Sequence, residues 1–285
     1  MKVTGKTCVY GIFGYPVKHS LSPLMQNAAF REAGIDAVYV PFEVEPENLK
    51  EAVDGVRALG IKGLNLTVPH KERIVEQLDY LSEEAELLGA VNTVKNENGE
   101  LTGYNTDAEG FLRSLIEEGV ELEGKKALML GAGGAARAVG YALLKGGVSF
   151  LYIVNRNFQR AREVGELLGK RGNVLVFPLK ESTVETLLKE VDLIVNTTSV
   201  GMKPEDPHLF DYSKTPEGIT VVDIIYNPPE TPLLKAAKER GCKTVNGLGM
   251  LVHQGAVAFE IWTGKTAPVE TMREVLEREL YGGTP

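Results

Sequence analysis

Cysteine is nearly absent from this chain: only Cys8 and Cys242 carry thiols among 285 residues. With no export signal the two read as reduced cytosolic thiols, and a disulfide-stapled scaffold is excluded. The four histidines, at 19, 70, 208 and 253, have no metal-site spacing such as His-x-x-x-His, so no metal is expected. No stretch approaches the ~18 consecutive apolar residues of a membrane span. The start, Met1-Lys2-Val3-Thr4-Gly5-Lys6, lacks the apolar core of a signal peptide. Repeats, low-complexity segments and Lys/Arg runs are missing too. Lys and Arg number 31 against 39 Asp and Glu, a formal charge of −8, which disfavours nucleic acid as a partner. What is left is a soluble, cytoplasmic, globular protein.

What is present is a glycine turn in a telling place. Ala127–Leu130 is an apolar run that reads as a buried strand; Gly131-Ala132-Gly133-Gly134-Ala135-Ala136-Arg137 follows, and a helix-like segment runs on to Leu144. Strand, glycine turn and helix together are the setting of a dinucleotide-binding turn. Gly131 and Gly133 let the backbone approach a pyrophosphate, Ala136 replaces the third glycine, and the helix N-terminus offers N–H donors to the anion. A second strand, Phe150–Val154, ends where such folds usually place an Asp or Glu for the adenosine ribose. Here Asn155, Arg156 and Asn157 stand instead, with Arg160 beyond. A carboxylate would repel a 2′-phosphate and a guanidinium binds one, so the cofactor expected is NADP(H). Asn196-Thr197-Thr198-Ser199 ends a further strand, either as a second wall of that site or as a polar turn.

The length fits about two domains at ~150 residues each. The first part alternates strands at 9–13, 37–44 and 61–68 with helices at 22–33 and 46–59. Ser22 is expected to cap the first helix, with Pro23 at its first position. Short helices follow at 70–78 and 82–88, then a hairpin, 91–94 and 101–104, around Asn98-Gly99. Thr106 and Glu109 fit a capping box opening a helix to about 118. The second part has a βαβ rhythm, with strands at 126–130, 150–154, 173–177, 193–196, 220–225 and 243–245. Helices at 250–262 and 272–280 close the chain. The fold class is α/β and two-lobed: an N-terminal open α/β domain, 1–106 with 250–285, and a Rossmann-type, doubly wound parallel-sheet NADP domain, 107–249. Two chain crossings predict a cleft between the lobes.

Polar residues cluster at strand and helix ends of the first domain: His19-Ser20-Leu21-Ser22-Pro23, Asn65-Leu66-Thr67-Val68-Pro69-His70-Lys71, Val91-Asn92-Thr93 and Asn105-Thr106-Asp107. Joined to the glycine turn and Asn155-Arg156-Asn157, this ordered set resembles the shikimate dehydrogenase family over nearly the full chain. The likeness extends to Asp223-Ile224-Ile225-Tyr226-Asn227-Pro228 and to Gly247-Leu248-Gly249-Met250-Leu251-Val252-His253-Gln254.

The resemblance implies reversible, NADPH-dependent reduction of 3-dehydroshikimate to shikimate, a step toward chorismate and the aromatic amino acids. It assigns Lys71 and Asp107 as the acid–base pair, with Ser20 and Ser22 on the substrate carboxylate. Asn65, Thr67 and Asn92 would bond ring hydroxyls and carboxylate, or else satisfy buried backbone groups. Tyr226 would cover the substrate or simply form a wall. Gln254, an amide on an apolar stripe with Met250, Val257, Ala258 and Ile261, needs a partner, which a ligand or a neighbouring carbonyl could supply. Cofactor contacts are expected at Gly131, Ala132, Gly133, Gly134, Ala135, Asn155, Arg156, Asn157, Arg160, Thr197, Thr198, Ser199, Gly247 and Met250. Two rivals remain: a quinate/shikimate dehydrogenase using either NAD or NADP, and a non-catalytic NADP(H)-sensing protein on the same scaffold.

Overall fold

The computed structural model describes residues 3–282. Met1 and Lys2 of the stretch read for a signal peptide, and the end of the expected 250–285 segment, lie outside the described residues. The chain divides into two units. One holds the chain up to Thr106 together with the segment from Val252 onward; the other is Asp107–Leu251.

The first unit opens with β1 (Cys8–Gly14), α1 (Ser22–Glu32) and β2 (Ala37–Glu43), followed by α2 (Leu49–Leu59), β3 (Gly63–Leu66) and α3 (His70–Arg73). Then come β4 (Tyr80–Leu81), α4 (Glu83–Leu88), β5 (Thr93–Glu97) and β6 (Glu100–Tyr104). Its sheet runs β2-β1-β3-β5-β6-β4. β1 lies parallel to β2 and β3, while β5 is antiparallel to both β3 and β6. The hairpin forms because Asn98 (φ 58°) and Gly99 (φ 96°) both take left-handed backbone, the twist a two-residue turn needs. One apolar cluster, with Phe13, Val53, Val56, Leu64 and Ile74, packs α2 against the sheet.

Several local expectations change. Ser22 is the first residue of α1, not its cap; Leu21 holds the cap position, and the Ser22 amide donates to Ser20 Oγ at 3.3 Å. The helix expected at 70–78 is the single turn α3 and a 3₁₀ turn, Val75–Gln77. β4 was not foreseen: two residues carry no periodicity, and it is pinned instead by Asp79, whose carboxylate accepts the Leu101 amide at 2.7 Å. Thr106 turns its hydroxyl to Asn92 and Thr93, and Glu109 pairs with Arg113, so both side chains of the expected capping box are engaged elsewhere.

The second unit begins with α5 (Asp107–Glu117), then β7 (Lys126–Leu130), α6 (Gly134–Lys145), β8 (Phe150–Asn155), α7 (Phe158–Leu168), β9 (Val174–Pro178) and α8 (Glu181–Leu188). β10 (Leu193–Asn196), β11 (Thr220–Asp223), α9 (Pro232–Glu239) and β12 (Lys243–Val245) complete it. The six strands are parallel in the order β12-β11-β10-β7-β8-β9. That is a doubly wound sheet whose strand order reverses between β7 and β10, and such folds bind ligands at the reversal. β11 stops at Asp223 because the Ile225 amide leaves the ladder for the Asp223 carboxylate, at 3.1 Å. The division between the units falls inside α10 (Leu248–Thr263), slightly past the Met250 expected. α11 (Val269–Tyr281) closes the chain and packs on α1. Trp262 of α10 donates its ring N–H to the Val94 carbonyl at 2.9 Å, tying the helix to β5.

Candidate active site

Gly131 follows β7 at the point of strand reversal, with φ 113°, a conformation closed to most side chains. A Cβ there would sit 2.6 Å from Thr197 Oγ1 and 2.9 Å from Thr198 Cγ2. The neighbouring turn is held close because the Thr197 amide and hydroxyl both donate to the Leu130 carbonyl, at 2.8 and 2.9 Å. Gly133 is the N-cap of α6 and supplies no side chain to its first turn. The Ala136 amide donates to the Gly133 carbonyl at 3.1 Å, which leaves the amides of Gly134 and Ala135 for an anion at the positive end of the helix.

The exit of β8 is built by its two asparagines. Asn155 Nδ2 donates to the Asn157 carbonyl at 2.8 Å, and Asn157 Oδ1 caps α7 by accepting the Arg160 amide at 3.2 Å. Arg156 and Arg160 stay exposed beside a cavity of about 310 Å³. Residues 131–133, 155–157 and 197–199, with Arg160, line that cavity, so segments well apart in the sequence converge on one place; the expected Gly134, Ala135, Gly247 and Met250 lie outside its lining. Leu179, Val200 and Leu209 also line it and carry no signal in the sequence, since an apolar side chain in a loop looks like core until its neighbours are known. Gly247 serves the backbone: a Cβ would overlap the Ile224 carbonyl, and its amide donates to the Ile225 carbonyl at 3.0 Å. Met250 is half-buried on α10.

These features suit NADP(H). The Cβ-free cradle at Gly131 and the first turn of α6 leave room and donors for a pyrophosphate, and the lining holds two guanidinium groups, which suit a 2′-phosphate, and no carboxylate.

The other unit carries a buried polar network. Asn65, at 6% exposure, donates through Nδ2 to the Asn92 carbonyl at 3.1 Å and to Thr93 Oγ1 at 3.0 Å. Its Oδ1 accepts from the Tyr39 hydroxyl at 2.7 Å. Both amide hydrogens are thus spent inside the protein, and one acceptor position on Oδ1 is left for a ligand. Asn92 Oδ1 accepts the Thr106 amide at 2.8 Å, and its Nδ2 donates to Thr106 Oγ1 at 3.0 Å. Ser22 is buried near the Tyr39 hydroxyl, whose pKa burial raises well above 10.0. Ser20 and Thr67 are half-buried just before α1 and just after β3.

Lys71 is the second residue of α3 and half-buried; its carbonyl accepts the Val91 amide at 2.8 Å. The turn is anchored by the buried His70, whose Nε2 bonds the Val44 carbonyl at 2.8 Å and whose burial lowers its pKa, keeping it neutral. Gln254 is half-buried on α10. In the second unit Asp107 is the buried first residue of α5. Tyr226 lies half-buried past β11, with its hydroxyl pKa raised by burial. Among the described residues no helix is long and apolar enough to cross a membrane, and no group of three or more His, Cys, Asp or Glu could hold a metal.

A doubly wound parallel sheet with a glycine cradle at its reversal and a basic rim defines a Rossmann-type dinucleotide-binding protein. Comparison with known proteins narrows the class. The family model described as shikimate dehydrogenase substrate binding domain matches residues 12–94, that of shikimate / quinate 5-dehydrogenase 114–225, and that of the shikimate 5′-dehydrogenase C-terminal domain 247–277. A shikimate dehydrogenase (NADP(+)) of Geobacter metallireducens is 49% identical over 277 residues, 96% of this chain and 97% of the relative. The structure of shikimate 5-dehydrogenase from Listeria monocytogenes, in complex with shikimate and NAD, superposes with TM-score 0.93 at 41% identity, covering 97% of this chain and 98% of the other. That of the Thermus thermophilus enzyme, in complex with NADP(H) and shikimate, gives 0.87 at 39% identity, covering 96% and 100%. The chain belongs to the shikimate dehydrogenase family.

Proposed function

We propose that this protein is an NADP(H)-dependent oxidoreductase that interconverts 3-dehydroshikimate and shikimate. The observation that carries the reading is the pair Arg156 and Arg160 at the exit of β8, beside the glycine cradle, in a chain similar over nearly its full length to shikimate dehydrogenases. Bound NADP(H) supplies or takes up the hydride at the carbon bearing the reacting oxygen. Lys71 carries the proton to or from that oxygen, with Asp107 as its partner in the acid–base pair. Ser20 and Ser22 bind the substrate carboxylate. Thr67, Asn92 and Gln254 bond ring hydroxyls, Asn65 contributes its remaining acceptor, and Tyr226 shields the substrate. Such neutral groups reject a ring that lacks a hydroxyl, because they would be left unpaired. The protein acts as a monomer or homodimer in the cytoplasm; its acidic charge and two free thiols, Cys8 and Cys242, support a reducing compartment and no nucleic-acid partner.

Steady-state oxidation of shikimate, followed by the absorbance of reduced nicotinamide, tests the reading. Turnover with NADP⁺ well above that with NAD⁺ is expected. Equal use of quinate and both cofactors would favour the dual-specificity enzyme. NADPH binding without any turnover would favour a sensor.

A further inference from the structure

The most deeply buried charged side chain in the second unit is Asp223, fully sealed at the last position of β11. Among the described residues no cation pairs with it. Its charge is met by hydrogen bonds alone. Both carboxylate oxygens accept from Asn196 Nδ2, each at 3.1 Å. Oδ1 also accepts the Ile225 amide at 3.1 Å, and Oδ2 the Thr231 hydroxyl at 2.8 Å. A charge buried without a counter-ion costs stability, so its presence calls for a role beyond packing.

Asn196 is where that role acts. Its Oδ1 accepts the Thr198 amide at 3.0 Å and the Thr198 hydroxyl at 2.7 Å, and its Nδ2 reaches the Val200 carbonyl at 3.1 Å. The Thr198 hydroxyl in turn accepts the Val200 amide at 3.1 Å. The turn at 197–200, one wall of the cofactor cavity, is thus held at Thr197 by the Leu130 carbonyl and at Thr198 and Val200 by the Asn196 amide. An amide can be rotated end for end, which would set Nδ2 against the Thr198 amide and Oδ1 against Asp223 and the Val200 carbonyl, losing the bonds to all three. A carboxylate only accepts, so Nδ2 must face Asp223 and Oδ1 must face Thr198.

We propose that Asp223 is a positioning residue for the dinucleotide: it fixes the amide of Asn196 and through it holds the Thr197–Val200 wall in its binding shape. The inference rests on the reading of this cavity as the NADP(H) site and assigns a task to a residue that touches neither cofactor nor substrate.

The full chain is compared as wild type, Asp223→Asn, Asn196→Ala and the double variant, by NADPH fluorescence titration, steady-state kinetics and thermal unfolding without cofactor. Each single variant weakens NADPH binding and raises KM for NADP⁺ about tenfold, the scale of one lost charge-assisted hydrogen bond. KM for shikimate and kcat stay near wild type. The double variant is no weaker than the weaker single one, because both break the same chain of contacts. Wild-type NADPH affinity in either single variant, or losses that multiply in the double, would overturn the proposal. A purely structural role would lower kcat through the active fraction and leave the NADPH affinity of the folded molecules unchanged. If Asp223→Asn fails to fold, Asn196→Ala alone decides by the same cofactor-selective loss. Failure of the wild type to bind NADPH would instead sink the reading of the cavity.

Discussion

The Tyr39 hydroxyl donates to Asn65 Oδ1 at 2.7 Å, and both residues are buried. Tyr39 lies on β2 and Asn65 on β3, on either side of β1, so the bond spans the sheet. It fixes which end of the Asn65 amide faces Asn92 and Thr93. Tyr39→Phe leaves the buried Asn65 Oδ1 without this donor. A loss of about 1–3 kcal/mol in urea-unfolding free energy is expected. Unfolding at the wild-type midpoint and slope would mean that this bond contributes nothing.

Lys71→Ala removes the proposed proton carrier from a half-buried position whose backbone, not side chain, holds the turn through Val91. The variant should fold normally and lose about 100- to 10,000-fold in kcat, the range of general acid–base catalysis. Near-normal kcat at saturating shikimate would take Lys71 out of the chemistry.

Arg156 and Arg160 stand at the N-terminal end of α7, where the helix dipole disfavours a cation. An anion between them relieves that conflict. Arg156→Ala should raise KM for NADP⁺ by about 10- to 100-fold and leave KM for NAD⁺ almost unmoved. A parallel rise for both cofactors would place Arg156 on a part they share.

The strands of the second unit could be read in advance because parallel strands covered on both faces are continuous apolar runs, as Leu128–Leu130 and Ile194–Val195 are. The glycine turn and the basic rim were legible for a similar reason: their chemistry is local. The buried relays were not. Tyr39 sits in an apolar strand and looks like core until its partner at position 65 is known. Asp223 looks like a strand-end residue until β10 brings Asn196 beside it. Cap propensity does not tell which of two nearby serines meets a helix-end amide: Ser20 Oγ accepts the Ser22 amide, and Ser22, the expected cap, is the first residue of α1.

Asp223 also gives the protein a pH signature. Burial, the largest influence, pushes its carboxyl up to about 6 from 3.8, against hydrogen bonds from Asn196, Ile225 and Thr231 that favour the anion; Tyr212 is the titratable neighbour that feels its charge. Between those two values the folded protein keeps a proton that the unfolded chain has released. The stability this group contributes is therefore full below pH 3.8 and is lost as pH rises through about 6. Asp79, Asp206 and Asp211 have lowered values and act in the opposite sense, so wild-type stability alone would mix the two trends. Asp223→Asn removes only the first. Urea unfolding of both proteins, at steps from about pH 4 to about pH 7, should show wild type losing ground to the variant as pH rises, with the difference levelling once the carboxyl is ionised. A difference that stays constant across this range would mean that Asp223 titrates like an exposed aspartate and that its hydrogen bonds fully offset its burial.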